Sequence, residues 1–255
     1  MNDSQKMITD PNSGEMPLIE HLHELRKRFI YSFGSILICA GVAYLFSTEI
    51  FDLLSAPYYR NFNGSSLIGT GPAEAFLLKL KMAVAGGVVI SSPILFLQLW
   101  LFIQPGLLEQ EKKLALPFIL STTLLFLVGL WFCYSVVLPF AFEFFFQQYQ
   151  SINVTPTVRI AEHVGFIAKA LIAFGLIFEM PIVAFFLGKL RIINSKMLIG
   201  AFRYAIVAAF AIGAILTPPD VVTQLLMAGP LLILYGLSIV VVKMTEPKSS
   251  DEESA

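Results

Sequence analysis

The chain has 255 residues, of which 56% are hydrophobic and 14% charged, and its mean hydropathy is +0.76. Soluble domains carry about 25% charged residues, and here the apolar residues arrive in long blocks, which excludes a soluble enzyme. A net charge of −1 supplies no basic field to draw in nucleic acid. Cys39 and Cys133 lie inside apolar runs and form no spaced metal or disulfide pattern, so they read as packing residues.

Crossing a hydrocarbon core of roughly 30 Å takes about 20 helical residues. In chain order, six blocks meet or approach that length: residues 29–46, 82–103, 116–142, 164–187, 197–216 and 221–242. They are continuously apolar rather than alternating, so they predict helices and not barrel strands. Residues 1–16 read as a flexible cytoplasmic N-terminus. Residues 17–28 form an amphipathic approach to the first span: Leu18, Leu22, Leu25 and Phe29 make one stripe, and Glu20, Glu24 and Arg28 another. On that pattern alone, Glu24–Arg28 is an ordinary helical ion pair on an interfacial helix. The first span is longer than a secretory h-region, and 28 polar-rich residues precede it, so a retained helix is expected.

The outer loop of residues 47–81 is too long for a turn. Ile50, Phe51, Leu53 and Leu54 suggest a surface helix ending near Pro57, Asn63-Gly-Ser-Ser66 a turn, and Pro72 the first turn of the next helix. Pro105-Gly106 ends span two, and Glu109, Glu111, Lys112 and Lys113 make a short charged loop before span three. Span four contains Lys169 and, about 12 Å from its inner end, Glu179. A carboxylate at that depth costs about 3 kcal/mol to insert. Either it fastens two helices or it meets a partner or substrate on a wet face. Pro181 removes an amide donor and exposes the Ile177 carbonyl beside it. Arg203 divides span five, leaving a short charge-free stretch, so spans five and six are short. Asp220 suits a cap on span six, and Thr223 and Gln224 can bond a neighbouring helix. The tail, residues 244–255, reads as disordered.

Twelve Lys and Arg fall on one side of these spans and Arg60, Lys79, Lys81 and Arg159 on the other, so both termini are expected in the cytoplasm. There is no Walker A loop and no H-E-x-x-H motif. His21, His23 and His163 lie outside or at the edges of the spans, where none serves a buried nucleophile or metal. No catalytic residue, metal site or cofactor is expected.

Six motifs occur in order: His-Leu-x-Glu-Leu-Arg-Lys-Arg at 21–28, Ser-Ala-Pro at 55–57, Pro-Ala-Glu-Ala-Phe at 72–76, Trp-x-Phe-Ile-x-Pro-Gly-Leu at 100–107 with Glu111, Phe-Glu-x-Pro at 178–181, and Leu-Thr-Pro-Pro-Asp at 216–220 with Gln224. Over residues 17–243 the chain resembles the TatC family, the polytopic core subunits of the twin-arginine protein translocase. The resemblance implies an all-α membrane domain with a concave membrane groove, set in the bacterial cytoplasmic membrane. It implies a non-enzymatic receptor for folded exported proteins, driven by the proton-motive force and assembled with single-span subunits of the TatA and TatB type and with further copies of itself. Carried over by motif, Glu24 and Glu111 would bind the Arg-Arg signal peptide, with Phe102, Arg26 and Arg28 shaping the site. Glu179 would line the groove, Thr217 and Gln224 would contact the single-span subunits, and Pro57 and Phe76 would belong to an outer cap. Many relatives have His-Glu-Arg-Arg where this loop has Glu109-Gln-Glu-Lys-Lys113, so Glu109 competes with Glu111 as the second acid. The alternative is an ion-coupled secondary transporter of a small solute, which would use Glu179 as its buried acid.

Overall fold

A computed structural model describes residues 18–62, 67–216 and 221–246. The expectations for residues 1–16, the turn at 63–66, Thr217 and Asp220 and most of the tail lie outside these residues. The described helices are α1 (Leu18–Leu45), α2 (Ser47–Asn61), α3 (Glu74–Ile103), α4 (Glu109–Lys112), α5 (Ala115–Phe132), α6 (Leu138–Ser151), α7 (Ile160–Phe178), α8 (Met180–Lys189), α9 (Ser195–Leu216) and α10 (Val221–Thr245). A π-helical turn, Cys133–Val137, joins α5 to α6, so the two make one rod. Among the described residues six helical segments are long and apolar enough to cross a membrane, and the two nearest the C-terminus are the shortest, at 22 and 25 residues. The approach helix and span one form a single uninterrupted α1.

Two peripheral hairpins flank a central core. α1 lies along α3, where a β-carbon at Gly87 would stand 2.7 Å from the Ala40 amide nitrogen. Only 11% of the apolar window of α1, and the same share of α9, is buried, as expected for helices whose outer faces meet lipid rather than protein. α9 packs on α10, to which it is tied by the Tyr235 hydroxyl donating to the Leu198 carbonyl at 2.8 Å. Between these pairs, Met82, Cys133, Leu138, Ile167, Phe174 and Met227 are buried in one contiguous cluster. α5 and α7 approach so closely that a β-carbon at Gly129 would meet the Phe174 carbonyl oxygen at 2.7 Å. Close approach through glycine replaces the hydrophobic drive that lipid removes.

Two features extend beyond the sequence expectation. The α5–α6 rod has 37 residues, or about 55 Å at 1.5 Å per residue, so it projects well past a 30 Å hydrocarbon core. The outer helix does not end near Pro57 but runs through it to Asn61. Pro57 cannot donate to the Leu53 carbonyl one turn back. The Tyr134 hydroxyl, presented by the π-helical turn, donates to that carbonyl at 2.9 Å instead. The same solution recurs in α3, where Pro93 leaves the Val89 carbonyl and Ser92 Oγ donates to it at 2.8 Å. A parallel bridge closes this outer region, with Ile68 N–H donating to Val158 and Ile160 N–H to Ile68, each at 3.0 Å.

At the opposite end the Glu246 carboxylate accepts from the Ser195 amide at 2.5 Å and from its hydroxyl at 3.0 Å, capping α9 from the end of α10. The Ser195 amide holds the Glu246 carboxyl below its ordinary value of 4.5. A depressed carboxylate stabilises the fold above its unfolded pKa and loses that contribution as pH falls through the folded value. The stability gap between the wild type and Glu246→Ala is therefore expected at neutral pH and should begin to close only below pH 4.5, as read from thermal unfolding in detergent. Tyr134→Phe, which orphans the Leu53 carbonyl, should destabilise the protein by about 1–2 kcal/mol and lower the same unfolding midpoint.

Candidate functional site

The first two turns of α1 run past the end of α3. The His21 ring stacks on Phe102 at a centroid distance of 4.5 Å and an interplanar angle of 26°. One turn further along α1, Arg28 Nη2 donates to Glu24 Oε1 at 3.0 Å, and Arg28 Nη1 reaches Gln98 Oε1 of α3 at 3.5 Å. Glu24 and Arg28 are mostly enclosed, with side-chain exposures of 16% and 22%. Glu24 Oε2 and Arg28 Nε are cut off from solvent and have no hydrogen-bond partner among the described residues. Arg26 is exposed on the neighbouring face of α1.

The end of α3 is firmly held. Trp100 is buried against Phe118 of α5 at 4.9 Å and Phe186 of α8 at 5.7 Å. Phe102 is therefore fixed on a rigid support rather than on a loop. A 3₁₀ turn, Gln104–Gly106, then leads through buried Leu107 into α4. In α4 the two competing acids have different partners. Glu111 Oε2 accepts from the Leu108 amide at 2.9 Å, capping its own helix. Glu109 is ion-paired to Lys112 at 2.7 Å, with the Glu109 side chain 88% exposed. Half of the Glu111 carboxylate is thus committed to loop architecture, and Glu109 sits in an ordinary solvated pair.

The structure brings Glu24, Arg28 and Phe102 into one constellation and adds two residues that the sequence reading did not single out for it, His21 and Gln98. A signal for Gln98 was present: it precedes Phe102 by four residues and so shares its face of α3. Nothing local marked His21 as the ring that would find Phe102, because that contact joins residues about eighty apart.

Glu179 occupies the junction of α7 and α8. Its amide donates to the Leu176 carbonyl at 3.1 Å in a tight turn, and its carbonyl accepts from Val183 at 2.9 Å, so the break permitted by Pro181 lies at the acid itself. The residue is 7% exposed, and neither carboxylate oxygen has a hydrogen-bond partner among the described residues. Lys169 is exposed on α7. On the last hairpin, Gln224 Nε2 donates to the Phe210 carbonyl of α9 at 2.8 Å, so its amide bonds a neighbouring helix of the same chain. Thr223 is buried, and Thr217 lies outside the described residues. In the outer region Phe76 is exposed, and the Glu74 carboxylate accepts from the Thr70 and Gly71 amides, ordering the entry to α3. Among the described residues no group of three His, Cys, Asp or Glu side chains gathers as metal ligands, and both cysteines are free.

Residues 20–230 match the family model described as Sec-independent protein translocase protein (TatC). A relative of that name from Desulforapulum autotrophicum is 39% identical over 241 residues, covering 94% of this chain and 89% of the relative. Those of Aquifex aeolicus and Helicobacter pylori are 39% and 41% identical, covering 94% and 92% of this chain and 100% and 90% of their own lengths. A crystal structure described as the twin arginine translocase receptor TatC superposes with a TM-score of 0.81 at 40% identity, over 88% of this chain and 99% of that one. With six membrane-length helices in the same arrangement, the chain belongs to the TatC family of Sec-independent protein translocase proteins.

Proposed function

We propose that this chain is the receptor and core subunit of a twin-arginine translocase, exporting folded proteins across the bacterial cytoplasmic membrane with the proton-motive force as the driving force. The observation that carries the reading is the Glu24 carboxylate, enclosed one turn along α1 from the His21–Phe102 stack, with one oxygen unpartnered among the described residues. A guanidinium offers paired, coplanar N–H donors that match both oxygens of a carboxylate, whereas an ammonium is a point charge without that fork. An enclosed acid therefore selects Arg over Lys. Glu111 supplies the second acid from α4, while one of its oxygens also holds the loop. Arg26 and Arg28 shape the approach.

In this reading residues 17–243 form the membrane domain, and both termini face the cytoplasm, which puts the Glu24 and Glu111 end on the inner side and Pro57 and Phe76 in an outer cap. Twelve basic residues against four support that orientation. Glu179 belongs to a concave membrane groove that takes the signal-peptide helix or the single span of a TatA- or TatB-type subunit. Thr217 and Gln224 serve the contact with those subunits, and copies of the chain associate within the complex. The protein is a binding and conducting component rather than an enzyme. A solute transporter built on Glu179 is disfavoured by the family to which the chain belongs.

The test is binding of an Arg-Arg signal peptide to the detergent-purified protein, beside its Lys-Lys counterpart. The Lys-Lys peptide should bind at least about tenfold more weakly, as expected when a bidentate charged bond is replaced by a single one. Glu24→Ala should weaken the Arg-Arg peptide by a similar factor. Equal binding of both peptides to folded protein would remove the acidic-site reading. Glu111→Ala should weaken binding and also free the Leu108 amide, a loss of about 1 kcal/mol of capping seen as faster proteolysis within residues 104–114; Glu111→Gln should restore most of the protease resistance but not the binding.

A further inference from the structure

The Glu24–Arg28 contact differs from a solvated i,i+4 pair in one respect. In a surface pair, water fills the hydrogen-bonding positions that the partners leave open. Here the second oxygen of Glu24 and the Nε of Arg28 are both shut off from solvent, and neither has a partner among the described residues. The pair is single-pronged, through Nη2 and Oε1 at 3.0 Å, while the other arm of the guanidinium is drawn towards Gln98 at 3.5 Å. A carboxylate in this state already holds a guanidinium, but by only one of its two oxygens.

We propose that Arg28 is a resident occupant of the arginine subsite, steadied by Gln98, and that an incoming guanidinium displaces it. This rests on the signal-peptide reading of Glu24. A fork-on-fork contact needs both carboxylate oxygens in one plane. Oε1 already accepts from Arg28 and Oε2 is shut off from solvent, so the ligand reaches both oxygens only when Arg28 lets go. The exchange replaces one charged hydrogen bond by two and fills the vacant acceptor. The resident arginine keeps the enclosed acid from standing unpaired in the empty receptor, where an uncompensated carboxylate is costly. It also lowers apparent affinity, because breaking the Arg28–Glu24 bond offsets part of the ligand's own interaction with the acid. Gln98 is a positioning residue: it acts on the ligand only through Arg28.

The exchange makes stability and affinity move in opposite directions, which a purely structural ion pair would not. Arg28→Ala should lower the unfolding midpoint and yet bind the Arg-Arg peptide about three- to tenfold more tightly than wild type, the range for release of one charged hydrogen bond. Arg28→Met, which keeps the aliphatic stem, gives the same measurement if the alanine variant does not fold. Gln98→Leu should raise affinity by a smaller factor, and should add nothing in the Arg28→Ala background. Glu24→Ala measured alongside separates the two readings. If Glu24→Ala weakens binding while Arg28→Ala leaves it unchanged or weaker, the exchange is overturned and the receptor reading stands. If Glu24→Ala has no effect on peptide binding, both fall.

Discussion

A membrane helix must satisfy its backbone hydrogen bonds from within the protein, because hydrocarbon offers none. Each internal proline removes one amide and so leaves an open acceptor at the carbonyl four residues earlier. Two of these open carbonyls shape this molecule. Pro57 releases the Leu53 carbonyl, and Tyr134 answers it from the α5–α6 rod, which pins the outer helix to the core. Pro93 releases Val89, and Ser92 answers from its own turn, so α3 continues unbroken to Trp100 and Phe102. At Pro181 the chain instead breaks, and the break is where Glu179 sits.

The receptor end depends on this continuity. Because α3 does not terminate at Pro93, the Trp100 anchor against Phe118 and Phe186 can hold Phe102 and Gln98 in fixed register. At this end of α1, His21 on Phe102 and Arg28 towards Gln98 help to place Glu24. α1 is mostly exposed along its apolar length, so the one face that lies on α3 fixes its rotation and height. The close Gly87–Ala40 approach supplies that register deeper in the membrane. A site carried by a peripheral helix is thereby kept rigid without burying the helix.

The same logic accounts for the division of labour among the acids. Glu246 and Glu111 both accept from backbone amides near helix starts, where the orphan donors of a first turn favour a carboxylate. Glu109 is solvated and paired with Lys112. Among the described residues Glu24, Glu74 and Glu179 each keep an enclosed oxygen without a partner, but the other Glu74 oxygen is held by the Thr70 and Gly71 amides and neither Glu179 oxygen is held at all. Unfilled acceptors in enclosed places are costly, and two of the three acids that keep them are the ones proposed for ligand and groove.

The sequence by itself determined the six spans, the shortness of the last two, the amphipathic start of α1 and the identity of the acids, because apolar run length and helical spacing are local quantities. The ordered motifs carried the family, and they placed Glu24, Phe102 and Glu179 among the residues of interest. What required the tertiary structure was every relation between distant segments. The continuation of α2 through Pro57 depended on a hydroxyl 81 residues along the chain from the carbonyl it satisfies. Sequence could pair Glu24 with Arg28 by spacing alone, but that the pair is half-made, enclosed and tethered to Gln98 is a property of α1 lying on α3, and helical periodicity carries no information about a neighbouring helix.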